Sequence, residues 1–164
     1  VAELRKISKD LDKNINLATE EAAFFIEDKA KKLAPRNFGD LAKTISTDDV
    51  KTKGLINKKV TVNEIYGAYV EFGTGVKVSV PKEFSEMAAT FKGQKTGTFA
   101  DFITSMTAYF NAKGYDPKNV WIACINILNN GQEARPFLYP SWTEGKKMYL
   151  KGLENLLKTY NKKI

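Results

Sequence analysis

The stretch over residues 3–33 most limits what this chain can fold into. Leu4, Ile7, Leu11, Ile15, Ala18, Ala22, Phe25 and Leu33 recur chiefly at three- and four-residue steps, which lines them along one side of an α-helix. Lys and Glu fill the other side, and neither Gly nor Pro interrupts the run. Pro35 ends it, because the residue before a proline avoids helical dihedrals. So long an apolar stripe has to be covered, and Phe24-Phe25-Ile26 widens it beyond a coiled-coil seam. The sequence therefore predicts packing on a sheet or on neighbouring subunits.

Residues 34–41 read as a turn, with Asn37, Gly39 and Asp40 in loop-forming positions. Residues 41–50 and 58–63 alternate and are rich in Thr, Val and Ile, with Gly54 between them. They predict an antiparallel hairpin with one solvated face. Residues 68–72 continue in that style as a third strand, ended or bulged by Gly73-Thr74-Gly75. Residues 76–80 offer a fourth before Pro81. Helical spacing returns over 84–91 and 98–112, the latter with Phe99, Phe102, Ile103, Met106 and Phe110 on one face. Asp116 suits the N-cap of a third helix running to Leu128 and closed by Asn129-Asn130-Gly131.

A last amphipathic helix spans 141–161, with Trp142, Tyr149, Leu153, Leu156, Leu157 and Tyr160 as its stripe. The fold class is α+β, in a single domain over 1–164. A long N-terminal helix packs on a small antiparallel sheet of three to four strands. The core comprises 1–80 and 132–164, with a helical insertion at 82–131 and a C-terminal helix.

The chain has no histidine and one cysteine. Lacking histidine, it has no Ser-His or Cys-His nucleophile and misses the commonest general base and metal ligand. One cysteine cannot form an internal disulfide, zinc-finger or iron–sulfur site. Cys124, within Trp121-Ile122-Ala123-Cys124-Ile125, reads as a small buried apolar residue rather than an activated thiol. No phosphate-loop run is present. Glu20-Glu21 and Glu27-Asp28 belong to a solvated helix face, and Asp48-Asp49 to a plain turn. The expectation is no catalytic site, no metal and no cofactor. No apolar stretch approaches the ~18–20 residues that span a bilayer, so no membrane partner is expected.

Net charge is +7, carried almost wholly by lysine, with Arg5, Arg36 and Arg135 the only arginines. Lysine suits weak, salt-sensitive phosphate contact, whereas groove reading usually draws on arginine's bidentate fork.

Two short runs stand apart from this lysine-rich background. Residues 65–75 hold Tyr66, Tyr69, Glu71, Phe72, Gly73 and Thr74; residues 134–140 hold Arg135, Pro136, Phe137 and Tyr139. Each packs aromatics with glycines or prolines around a single charge, as tightly folded docking segments do. These ten residues are the structural or interface candidates. Glu71 and Arg135 are expected to pair, joining the third strand to the turn before the last helix.

Their order along the chain carries a resemblance. A long N-terminal helix is followed by Ala34, Pro35, Gly39, Asp40 and Leu41. Then come the Tyr69–Thr74 run, the Arg135–Pro140 run and a closing helix. In that order the chain resembles the small head–tail joining proteins of tailed bacteriophages, the neck or tail-completion proteins, over about 1–75 and 132–164. The resemblance implies a structural virion protein at the head–tail junction, made in the host cytoplasm. It implies a homo-oligomeric ring of six or twelve copies. Such a ring touches head-completion or connector and tail proteins, with genomic DNA passing non-specifically through its lumen. The segment 82–131 departs from that pattern. A basic nucleic-acid-binding module without sequence preference is the alternative.

Overall fold

The computed structural model describes residues 2–35, 40–52, 55–64, 66–91 and 98–161. The expected turn at Arg36–Gly39, the hairpin glycine Gly54 and Ile65 lie outside them. The elements are α1 (Ala2–Leu33), α2 (Asp40–Lys43), β1 (Ile45–Thr52), β2 (Leu55–Val62), α3 (Tyr66–Phe72), α4 (Ser85–Ala89), α5 (Phe99–Lys113), α6 (Val120–Asn130) and α7 (Leu138–Asn161). The class is α+β and mostly helical. Its chain groups into two compact units. One comprises residues 1–33, 45–61 and 137–164, the other 34–44 and 62–136.

In the first unit α7 packs along α1 in the opposite direction. Asn14 Nδ2 donates to the Tyr160 hydroxyl at 2.9 Å, the Thr19 and Tyr149 hydroxyls lie 3.4 Å apart, and Lys29 pairs with Glu144. Partner numbers on α7 fall as those on α1 rise, which defines antiparallel helices. The closest approach uses small residues. Ala22, Ala23 and Ala30 are buried on α1, and Gly145 and Ser141 are buried on α7. A Cβ placed on Gly145 would overlap Ile26 Cγ1. This crossing corrects the expected stripe. Past Ala22 the buried line runs through Ile26 and Ala30, while Phe25 and Leu33 are exposed. Large side chains on that line would force the helices apart.

Helix α7 begins at Leu138, earlier than its periodicity suggested, with Pro140 in the first turn, where a missing N–H costs no hydrogen bond. The Ser141 hydroxyl donates to the Phe137 carbonyl at 2.6 Å.

The β1–β2 hairpin also belongs largely to this unit, and β1 packs on α1. Asp49, expected in a turn, lies within β1 and reaches Lys58 of β2 at 2.6 Å. Lys58 also holds Glu20 at 2.7 Å, and its side chain is only 9% exposed. Asp49 first, then Glu20, raises the Lys58 pKa above its ordinary value.

Among the described residues the sheet has two strands, not the three to four expected. Residues 68–72 are helical, within α3. A short apolar run fits either period, and Tyr66, Tyr69 and Phe72 also satisfy a three-residue step. Close packing favours the helix, since a Cβ on the buried Gly67 would lie 2.7 Å from Val62 Cγ1 and 3.3 Å from Leu41 Cδ1. Residues 76–80, the expected fourth strand, begin in a 3-10 turn at Gly75–Lys77 and join no ladder. The first strand also starts later than expected, because residues 40–43 make the turn α2. Leu41 O accepts from both the N–H and the hydroxyl of Thr44.

In the second unit the expected insertion helices form, with the first shortened to α4 behind a 3-10 turn at Lys82–Phe84. Helix α5 starts in a reciprocal capping box. The Thr98 hydroxyl accepts from Asp101 N–H, and the Asp101 carboxylate accepts from Thr98 N–H at 2.8 Å. That bond and the Thr98 hydroxyl hold the Asp101 pKa below its ordinary value. Asp116 caps the turn before α6 by accepting from Lys118 N–H at 3.0 Å. Cys124 is wholly buried, and burial pushes its thiol pKa up.

Gly145→Ala should lower stability by about 1–3 kcal/mol through overpacking. Gly152→Ala, with nothing within 4 Å of the new Cβ, should raise it by about 1 kcal/mol through helix propensity. Denaturant midpoints check both. Cys124 should resist a thiol reagent in the folded protein and react fully once denaturant unfolds it.

Candidate assembly surface

In the second unit the 65–75 run meets Gln132 and Arg135 backbone to backbone. Helix α3 ends where Gly73 N–H donates to Tyr69 O at 2.9 Å, with Gly73 at φ +75°. Thr74 N–H then donates to Gln132 O at 2.9 Å, and Gln132 N–H returns a bond to Thr74 Oγ1 at 2.8 Å. Further along, Arg135 N–H donates to Val70 O at 2.8 Å. Ser79 N–H donates to Phe72 O, also at 2.8 Å, folding the following segment back onto the end of α3.

This approach requires missing side chains. Gly131, just after α6, has φ 72° and ψ 170°, a conformation essentially confined to glycine. A Cβ there would overlap Thr74 O. A Cβ on Gly73 would lie 2.7 Å from Lys77 O and 2.8 Å from Gln132 O. In the sequence Gly131 reads only as the end of a helix. Its second role shows when it is placed beside Gly73 and Gly75, since close contact of two main chains selects glycine on both sides.

The candidate residues divide by burial. Glu71, at 3% exposure, and Phe72 and Gly73 are buried, and Phe72 meets Phe84 edge-on with ring centroids 6.2 Å apart. Tyr69 and Thr74 are half-buried, whereas Tyr66, Arg135 and Pro136 are exposed. In the first unit Phe137 is buried at the start of α7. Tyr139 is half-buried and stacks on Trp142, over which Lys146 Nζ sits at 4.7 Å.

The expected Glu71–Arg135 ion pair does not form. Arg135 turns its side chain to solvent, and its tie to α3 is the main-chain bond to Val70. A main-chain bond supplies the link without burying a guanidinium, whose desolvation would offset much of the attraction.

Beside the junction lies an open apolar groove of about 460 Å³, lined by Tyr69, Phe72, Val78, Val80, Ala88 and Phe91 among others. Among the described residues no group of three or more His, Cys, Asp or Glu could hold a metal ion. No described helix is long and apolar enough to cross a membrane. Several lysines have acidic partners: Lys31 with Glu27 at 2.5 Å, Lys32 with Asp28 at 2.6 Å and Lys77 with Glu133 at 3.5 Å, besides Lys29 and Lys58. Lys31 is the chief cause holding the Glu27 pKa below its ordinary value.

Gly131→Ala combines a glycine-only conformation with a main-chain overlap and should cost roughly 3 kcal/mol or more. Gly114→Ala, also at positive φ but with nothing within 4 Å, should cost only about 1–2 kcal/mol. Urea unfolding of the two variants checks the difference.

Residues 1–73 match the model of the HK97-gp10-like family, described as "Bacteriophage HK97-gp10, putative tail-component". The match takes in α1, α2, the hairpin and α3, and ends at Gly73. No curated protein and no solved structure matches the chain. The Arg135–Pro140 run and the segment 82–131 lie outside the matched residues. The match fits the tailed-phage joining proteins that the ordered motifs resemble: over residues 1–73 the chain is similar to the HK97-gp10-like phage tail-component family.

Proposed function

We propose that the chain is a non-enzymatic structural subunit of a tailed-phage virion. It assembles into a ring of six or twelve copies at the head–tail junction. All of residues 1–164 act as one subunit, with 82–131 inserted between the two motif-bearing parts. Its neighbours are head-completion or connector proteins on one side and tail proteins on the other. The family match over residues 1–73 carries this reading.

Genomic DNA passes through the lumen without being read. Sliding requires weak contacts, and a charge of +7 made mostly of lysine supplies weak, salt-sensitive ones. Pairing of Lys29, Lys31, Lys32, Lys58 and Lys77 with carboxylates disfavours the alternative of a dedicated nucleic-acid clamp.

Negative-stain microscopy of the purified protein, and of virions carrying a tagged copy, tests the proposal. Rings with a central hole and label at the neck are expected, and deletion should leave filled heads beside separate tails. A chain that is solitary in solution and absent from the neck would overturn the proposal.

A further inference from the structure

The chain holds twelve asparagines, and only Asn130 is followed by glycine. Asparagine is heat-labile because the next amide nitrogen can attack its side-chain carbonyl carbon. A following glycine has no side chain to hinder that attack, so this pair deamidates most readily. The two residues are placed very differently here. Asn130 is exposed, and its side chain makes no hydrogen bond among the described residues. Gly131 is buried, its N–H donates to Ile127 O at 2.9 Å, and a Cβ on it would overlap Thr74 O. The junction therefore fixes the glycine, while the asparagine amide is left unused.

We infer that Asn130 and Gly131 form a self-modification site, held inactive by the closed junction and released when the junction opens. The Gly131 nitrogen bonds to Asn130 Cγ, and the side-chain nitrogen leaves as ammonia, taking up the proton that Gly131 loses. Water then opens the five-membered imide at either carbonyl, leaving aspartate or isoaspartate at position 130. Water is the only co-reactant. The closed structure blocks the first step twice. Its Gly131 nitrogen is tied to Ile127 O, and helical backbone at Asn130 keeps that nitrogen out of the plane the ring needs. Opening frees both. The product does not fit back. Isoaspartate routes the main chain through one extra carbon, just where Gly131 and Gln132 must meet Thr74. Either product also puts a carboxylate at the C-terminal end of α6, where the helix dipole opposes negative charge. Opening of the second unit is thereby marked irreversibly in the chain, whatever the chain assembles with.

Incubation of the full chain in mildly alkaline buffer, with and without denaturing urea, tests the inference. Peptide mass spectrometry and an enzymatic isoaspartate assay follow position 130. In urea it should convert ahead of every other asparagine, and in the folded chain at least about tenfold more slowly. Thr74→Ala removes the hydroxyl that accepts from Gln132 N–H. It should speed conversion of the folded chain several-fold while Cys124 stays protected from thiol reagents. Asn130→Gln, which closes a six-membered ring far less readily, should stop conversion and leave the urea midpoint unchanged. Converted chain returned to native buffer should exchange the amides of Thr74 and Gln132 faster than before. Equal rates with and without urea, or another asparagine converting first in urea, would overturn the inference. So would an unaltered rate in folded Thr74→Ala, or a converted chain whose junction amides stay protected.

Discussion

Two stretches of main chain, one around Gly73–Gly75 and the other at Gly131–Gln132, touch more closely than side chains would allow. Thr74 and Gln132, 58 residues apart, exchange a pair of hydrogen bonds there, and Arg135 adds a third contact to α3. The junction brings together both ends of the segment that holds α4, α5 and α6. Closing a long loop costs little more entropy than closing a short one. Once its stem is fixed, the segment of helices between its two ends is closed at little further entropic cost. The family match stops at Gly73, the first residue of this stem.

What was legible in the sequence follows from how local each signal is. Helix α1 and its stop at Pro35, the Thr98 start of α5 and the Asp116 cap before α6 depend on neighbours within a few residues, and all are present. Residues 68–72 failed because five apolar-rich residues satisfy either period, and burial of Gly67 against Val62 and Leu41 decides between them. The drift of the α1 stripe from Phe25 to Ile26 and Ala30 is set by Gly145, more than a hundred residues away. The two runs are joined, but by a different bond from the one their side chains suggest. Side-chain chemistry suggested Glu71 with Arg135, while the main chain makes the link and Arg135 stays in solvent.

Charge and apolar surface then point the same way on function. Several lysines are held by carboxylates, and Lys58 is drawn between Glu20 and Asp49 instead of being offered to a ligand. The sequence has no histidine, and its one cysteine is buried. Tightly joined backbone and exposed aromatic surface suit a subunit that holds shape and adheres to neighbours, the role proposed for a phage tail component.

Amide hydrogen exchange at the junction tests this account most directly. The N–H groups of Thr74, Gln132 and Arg135 should exchange together, as slowly as the protected amides of α6, because opening the stem should require opening the unit that contains it. Exchange at those three positions as fast as in exposed turns, with α6 still protected, would show that the backbone junction does not hold the second unit together.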